Sequence, residues 1–513
     1  MATQWQTFPI EFKGGLISNL SPLQQGANAL GSATTLQNFE VTKEGGYKKL
    51  KGFSKFSAIE VPGSNEVLAL SVIGSGRIVV ARKNASNVTE YYVGTGTSWV
   101  SLSSSASLML GTKVRHIMYN TSGDDKVVFV DSVNYPVVYS TSGDTFSVIS
   151  NAAVLGASQV AFFANTGFYA KGSELIFAAP GTVDDFDPAN AAGSLKMRSD
   201  IVGLAVFRDQ LIVFGTDSIQ RLTGSTGSDF NLSVITDRMG CLNGDTIQEV
   251  GGDIMYLAAD GVRLLSATDR IGDFGLDVTS DSIAKDAATF KASASNFCSV
   301  LFRAKAQYRV FSYVESEQSV TAKGLIATKY VSQGASGISW STSFGIKAFV
   351  ADSIYSGNTE TAAFANDDGY IYILDDGNSF DGNAIDAIYE SPYMPITDPQ
   401  VRKSFYKMTI YAEPTGSMAF EVSLKYDFGA KTNTGLIQPP PQVVSSTGIA
   451  VFLFGTTAAT YGTATFGGEL DTVYDTHVTG SGKTVSIRIE DKTTNPAFTL
   501  DTALLEFSQE DRQ

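Results

Sequence analysis

EVGGDIMYLAADGVRLLSATDR, residues Glu249–Arg270, carries the pattern on which the fold turns. It reads as an apolar strand, a tight turn at Asp260-Gly261, a second apolar strand and a polar stop. Ile254, Tyr256, Val262 and Leu264 recur at the two-residue period of a strand, so they are the candidate core or face positions. Asp-Gly is a favoured pair where a two-residue hairpin needs φ > 0. Just upstream, GLAVFRDQLIVFGTDSIQRLTG (Gly203–Gly224) repeats the pattern, with Leu211–Phe214 apolar on both faces as an inner strand of a packed sheet would be.

The same pattern covers most of the chain. GSGRIVVAR, TEYYVGTGTSWVSL, DDKVVFVDSVNYPVVYS, FYAKGSELIFAAP and GYIYILDDG are strands parted by Gly/Asp/Ser turns. TSGD occurs at Thr121–Asp124 and at Thr141–Asp144, about two strands apart. The main helical stretch is SDSIAKDAATF, residues 280–290, with Ser280 or Asp281 as N-cap. Short strands in local meanders over residues 61–390 suit a sandwich, a solenoid or a propeller. At roughly 45–55 residues per four-stranded blade, they give six or seven blades. Pro392, Pro395 and Pro399 mark a linker. Beyond it, KMTIYAE, MAFEVSLKYD, GIAVFLFG, TVSIRIED and ALLEFSQ fit an antiparallel β-sandwich, with QPPPQ (Gln438–Gln442) as a stiff loop. The expected class is therefore mainly β. Residues 1–60 form an extended arm packing on its neighbours, residues 61–390 a β-propeller-like body, and residues 391–513 a β-sandwich.

Composition limits the chemistry. Of 513 residues, 43% are hydrophobic, 17% are charged and 49 are glycine, which suits a turn-rich β-protein with a large core. The net charge of −15 argues against tight non-specific DNA binding, which needs clustered Lys and Arg to release counterions. With only His116 and His477, a histidine metal centre or triad is not expected. Cys241 and Cys298 have no metal or redox spacing and read as reduced core thiols. No signal peptide and no apolar run of about 18 residues appears, so the sequence reads as a soluble chain made in a cytoplasm, with no membrane span.

The local motifs resolve into turns. TGSGKT (Thr479–Thr484) lacks the first glycine of a phosphate loop, having His477 there, and VSIRIE after it is a strand. DDGNSFDGN (Asp375–Asn383) lacks the bidentate glutamate of a calcium loop and reads as a turn between strands. TVDDFDP offers Asp184, Asp185 and Asp187, which would serve glycoside hydrolysis only if two of them were correctly spaced. Lys43, Lys48, Lys49, Lys51 and Lys55 stand out in an acidic chain. They suit either an acidic partner or DNA backbone, or a solvated, lysine-protected edge strand. The Asn-X-Ser/Thr matches at Asn84, Asn87, Asn120 and Asn231 carry little weight without a secretory signal. No residue is assigned a catalytic, cofactor-binding or metal-binding role, and no cofactor is expected.

Three stretches resemble the tail nozzle proteins of short-tailed bacteriophages, also called tail tubular protein B or stabilisation protein. They are GLISNLSPLQQGANALGSATTLQNFEVTKEGGYKKLKGF (Gly15–Phe53), the central block from Leu204 to Arg270, and TGSGKTVSIRIEDKTTNPAFTLDTALLEF (Thr479–Phe507). The central block is the most specific of the three, and residues 280–400 match only in strand style. The resemblance implies a propeller-like body in six copies around a tail axis, an adaptor ring above and, in some phages, fibres at the side. It implies a structural, non-enzymatic protein of the virion tail, assembled in the host cytoplasm. This protein would close the tail's distal end and then conduct genomic DNA during ejection. An acidic lumen would let DNA slide without being held. The alternatives are a carbohydrate-cleaving propeller using Asp184, Asp185 and Asp187, and a carbohydrate-binding adhesin. Trp5, Trp99 and Trp340 are few for the latter's stacking platforms.

Overall fold

The computed structural model describes residues 5–509 except 75, 103–111, 122, 267–277, 295, 333–334, 430–438 and 447–471. Residues Ala267–Arg270 of the opening stretch, the predicted strand GIAVFLFG and Gln438 of QPPPQ lie outside the described residues.

The chain is mainly β and its body is a propeller. Blade 1 (64–101), blade 2 (115–148), blade 3 (159–196) and blade 4 (201–236) are four-stranded antiparallel meanders, each strand pairing with the next in sequence. Blade 5 (248–264) has three strands. Blade 6 (296–344) is the leading part of a nine-stranded sheet. Blade 7 takes three strands from residues 350–374 and its fourth, Phe53–Lys55, from the N-terminal arm. The first strands of the blades stand side by side around an axis, and blade 7 meets blade 1 to close the ring. Six blades are thus sheets of their own, and the seventh sector is shared with the sandwich.

The opening hairpin supplies blade 5. Its strands are Gln248–Val250, Asp253–Leu257 and Val262–Leu264. Ile254, Tyr256 and Val262 are buried, and Leu264 packs on the core partly buried. The turn falls one residue earlier than Asp260-Gly261 suggests. Leu257 pairs with Val262, and the Ala258 amide donates to the Gly261 carbonyl at 2.8 Å, so Ala259 and Asp260 form the tip. Only Gly261 has positive φ there (154°), and a Cβ on it would lie 2.4 Å from the Ser280 hydroxyl. The two TSGD turns lie at one end of blade 2. Asp124 of the first accepts from the Ser140 hydroxyl (2.5 Å), the Thr141 hydroxyl (3.2 Å) and the Ser142 amide (2.9 Å) at the second.

The predicted helix is present as a 3₁₀ turn, Asp281–Ile283, running into an α-helix, Ala284–Ser293. Neither Ser280 nor Asp281 caps it with a side chain. The Ser280 hydroxyl instead accepts from the Val262 amide at 3.0 Å, and Thr279 Oγ1 donates to the Val262 carbonyl at 2.8 Å. These bonds cover the outer edge of blade 5, which has no fourth strand among the described residues.

The sandwich is built from both ends of the chain. One sheet has the order Phe39–Val41, Tyr47–Lys49, Phe498–Gln509, Lys403–Pro414, Val473–His477, with Gln6–Glu11 also paired to Phe498–Gln509. The other continues blade 6 through Thr35–Gln37, Ala387–Glu390, Val485–Asp491, Met418–Tyr426 and Gln442–Ser446. The arm crosses from one sheet to the other at Asn38, whose φ of 52° is a conformation asparagine tolerates better than most residues. One continuous core runs from Val250, Phe297 and Trp340 of the propeller to Phe420, Ile487 and Leu505 of the sandwich. The proline-marked stretch is a packed connection and not a free tether. Met394 and Ile396 are buried, and the Met394 amide donates to the Val485 carbonyl at 2.8 Å.

Candidate functional site

A propeller's natural site is its axis, where all the first strands converge. Here the axial cavity holds about 710 Å³ and takes lining residues from all seven sectors. Charge pairs cross it. Asp245 lies in the turn entering blade 5, held by Asn243, whose side-chain oxygen accepts from the Asp245 amide at 2.8 Å. From the far side of the ring, Arg115 grips both oxygens of Asp245 (2.7 and 3.0 Å), and Lys113 reaches one of them at 3.2 Å. Lys113 also donates to the Phe297 carbonyl of blade 6 at 2.8 Å. Burial would raise the Asp245 carboxyl, but Lys113 and Arg115 outweigh it and hold the group below the ordinary aspartate value.

A second knot closes the seam of the ring. Asp352 of blade 7 accepts from the Val72 amide of blade 1 at 2.9 Å and lies 3.4 Å from His116 Nε2 of blade 2. Burial pushes the Asp352 carboxyl up, and the hydrogen bond and charge of His116, with the amides of Val72 and Ser353, bring it below its usual value. His116 is therefore a seam residue, whereas His477 ends an edge strand of the sandwich. Cys241 and Cys298 are free and buried, their thiols pushed up to about 12 by burial, so they are packing residues.

The basic segment is divided. Lys49 is fully buried between the two sheets of the sandwich. Its ammonium lies 2.8 Å from Asp491 and also donates to the carbonyls of Thr493 (3.0 Å) and Asn495 (3.3 Å). Lys43 donates to the Ala304 carbonyl at 2.6 Å, and Lys55 lies 3.3 Å from Asp381 and 4.0 Å from the Tyr370 ring centroid. Lys48 is half-buried and Lys51 exposed. The segment is thus neither a uniformly solvated edge nor a free cationic patch. Lys49 is a structural ion, and Lys48 and Lys51 remain for outside contacts.

The acidic candidates are occupied locally. Asp185 accepts from the Asp187 amide (2.9 Å) and from Asn190 (2.8 Å), and Asp187 caps the 3₁₀ turn Pro188–Asn190 through the Ala189 amide. In the Asp375–Asn383 stretch, Asp376 accepts from the Ser54 hydroxyl and Asp381 pairs with Lys55. Thr479–Thr484 is followed by the strand Val485–Asp491. Trp340 is buried and donates to the Thr279 carbonyl at 2.9 Å. Trp99 donates to the Ile59 carbonyl at 2.9 Å, and Trp5 rests edge-on against Tyr406. Asn84 accepts from the Ser86 and Val88 amides within its own turn.

Sequence reasoning missed the knot that fastens arm to propeller. Arg309, fully buried, reaches Glu40 of the arm at 3.0 Å and Asp375 of blade 7 at 2.8 Å, while Lys305 contacts the same two carboxylates at 2.8 and 2.7 Å. The signal was present in QYRVFSY (Gln307–Tyr313), a strand buried along its whole length with an arginine in the middle. A charge there demands partners, since an unpaired buried ion is too costly to survive.

No protein-family model and no curated protein matches the chain. Among solved structures it is similar to Ika8, a computationally designed protein, at 11% identity and a TM-score of 0.35. The match covers 63% of this chain and 99% of the designed one. A likeness that loose carries no functional argument.

Proposed function

We propose that this protein is a structural ring component of a short-tailed phage tail, a nozzle that closes the distal end and conducts DNA between its copies. The observation that carries the reading is the resemblance of Gly15–Phe53, Leu204–Arg270 and Thr479–Phe507 to the nozzle family, and the closed axis bears only on where a DNA passage would run. The axial cavity of about 710 Å³ is lined by side chains from every blade. Lys113, Arg115 and Asp245 also bridge it. Each propeller is then a solid wall element, and a DNA passage must be enclosed by several chains. The resemblance to the nozzle family supplies the number, six copies, along with the adaptor ring and fibres as neighbours and the virion tail as location. The charge of −15 per chain favours a wall that repels phosphate. The glycosidase alternative is weakened because Asp185 and Asp187 are spent on a local turn.

The test is genetic. Particles assembled without this protein should lose their packaged DNA and fail to infect. Particles that lack it and still retain DNA and infectivity would contradict the reading.

A further inference from the structure

We propose that Lys49 and Asp491 condense to an intramolecular isopeptide bond, a covalent tie between the N-terminal arm and the sandwich. The ion pair described above is the reactant state. This inference does not depend on the conduit reading.

Burial singles the pair out. Lysine–carboxylate pairs recur in this chain, but in the others among the described residues at least one partner keeps some contact with solvent. The Lys49 and Asp491 side chains are 1% and 0% exposed. They come from opposite sheets of the sandwich, Lys49 from Tyr47–Lys49 and Asp491 from the end of Val485–Asp491. Their partners across the strand ladders, Phe39 and Ala387, are fully buried apolar residues. Water is thus kept away from a lysine nitrogen and a carboxyl group held in contact.

The surrounding hydrogen bonds suit an acyl transfer. Lys49 Nζ donates to Asp491 Oδ2 at 2.8 Å and to the carbonyls of Thr493 and Asn495 at 3.0 and 3.3 Å. Three acceptors for three N–H donors fix the orientation of the nitrogen. The second carboxyl oxygen, Oδ1, accepts from the Thr493 amide at 2.7 Å. That amide is placed to stabilise the negative charge that gathers on Oδ1 when a nucleophile adds to Cγ.

The step balances within the pair. Transfer of the shared proton from Nζ to Oδ2 turns ammonium and carboxylate into amine and carboxylic acid, and the lone pair it frees faces Asp491. The Nζ–Cγ bond then forms and the Cγ–Oδ2 bond breaks. Oδ2 leaves as water, carrying the transferred proton and a second one from Nζ. No oxidant, reductant or other reactant is consumed. The product amide carries neither of two charges that are costly to bury, and the packed core keeps water from reversing the step. The bond would close a loop across 442 positions and restrict the unfolded chain. It would also keep the arm, which supplies the fourth strand of blade 7, from leaving the fold.

The experiment incubates the full folded chain at neutral pH, denatures it and measures its intact mass, then digests it for tandem mass spectrometry. The chain should be lighter than its sequence by one water. The peptide holding Lys49 should be recovered joined to the peptide holding Asp491. Lys49→Arg keeps a cation beside Asp491 but offers no nucleophilic amine, so that variant should have full mass. A parent chain of full mass with both peptides free would overturn the proposal and leave an ordinary ion pair. Loss of water that persists in Lys49→Arg, or that maps to a succinimide at an Asp-Gly turn such as Asp260-Gly261, would overturn it as well.

Discussion

Lys49 and Lys51 are two residues apart in one basic run, yet they should behave oppositely on mutation. Lys49 and Asp491 are both buried, so Lys49→Met leaves an unpaired carboxylate inside the sandwich. Breaking a buried pair in this way typically costs about 3–5 kcal/mol. Lys51→Glu, on an exposed side chain, should stay within about 0.5 kcal/mol. Urea unfolding of the purified chain measures both, and equal midpoints would refute the assignment. The charge run was legible in the sequence, but which lysine turns inward was not. That depends on a partner 442 positions away, Asp491. Asp375 gives a pH signature. Burial alone would raise its carboxyl, but Arg309 and Lys305 bring it down to about 2. The folded value lies below the unfolded one of about 3.9, so the pair's contribution is fully present above pH about 4 and is lost as pH falls toward 2. That contribution should be about 2–3 kcal/mol. Stability measured from pH 5 to pH 2 should fall less steeply in Asp375→Asn than in the parent chain. Parallel curves would show that the knot carries no such linkage.

Strands were the most legible elements, because a period of two survives without knowledge of partners. The meanders of blades 1–4 follow directly from it. The blade 5 hairpin was placed correctly, and its turn slipped by one residue because Ala258 and Gly261 close the loop through their own backbone. The helix over residues 284–293 was visible, but its cap was not, since Ser280 is spent on the neighbouring strand. The arm was hardest to read. Its strands are only three residues long at Thr35–Gln37, Phe39–Val41, Tyr47–Lys49 and Phe53–Lys55, too short for any period to show. They nevertheless join both sheets of the sandwich and complete blade 7. Deleting residues 1–56 should therefore open the ring as well as the sandwich. It removes the fourth strand of blade 7 and leaves Arg309 without Glu40. Limited proteolysis should then cut within blades 6 and 7, and cooperative melting should be lost. A truncated chain that melts like the parent would show the arm to be an accessory.

For the whole molecule, sequence gave a propeller-like body and a sandwich but could not show their fusion. One nine-stranded sheet serves as blade 6 and as half of the sandwich. That continuity arises from pairings such as Gln37 with Thr342 and with Ile388, which no local pattern announces. The axial ion pairs that shut the propeller were equally invisible, since Lys113, Arg115 and Asp245 meet only when the ring closes. A closed axis and a charge of −15 together predict that the isolated chain does not hold duplex DNA. A fluorescence titration at about 0.1 M salt, where screening extends about 10 Å, should show no binding at micromolar protein. Tight, salt-sensitive binding would mean that a basic surface faces the DNA and that the charge argument fails. The central claim is that copies of this chain enclose the passage. Electron cryomicroscopy of assembled particles tests it most directly. The account predicts a six-fold ring of these propeller–sandwich units at the distal end of the tail, with a passage between chains wide enough for duplex DNA and every propeller axis closed. A single copy, another symmetry, or DNA density running through a propeller axis would contradict it.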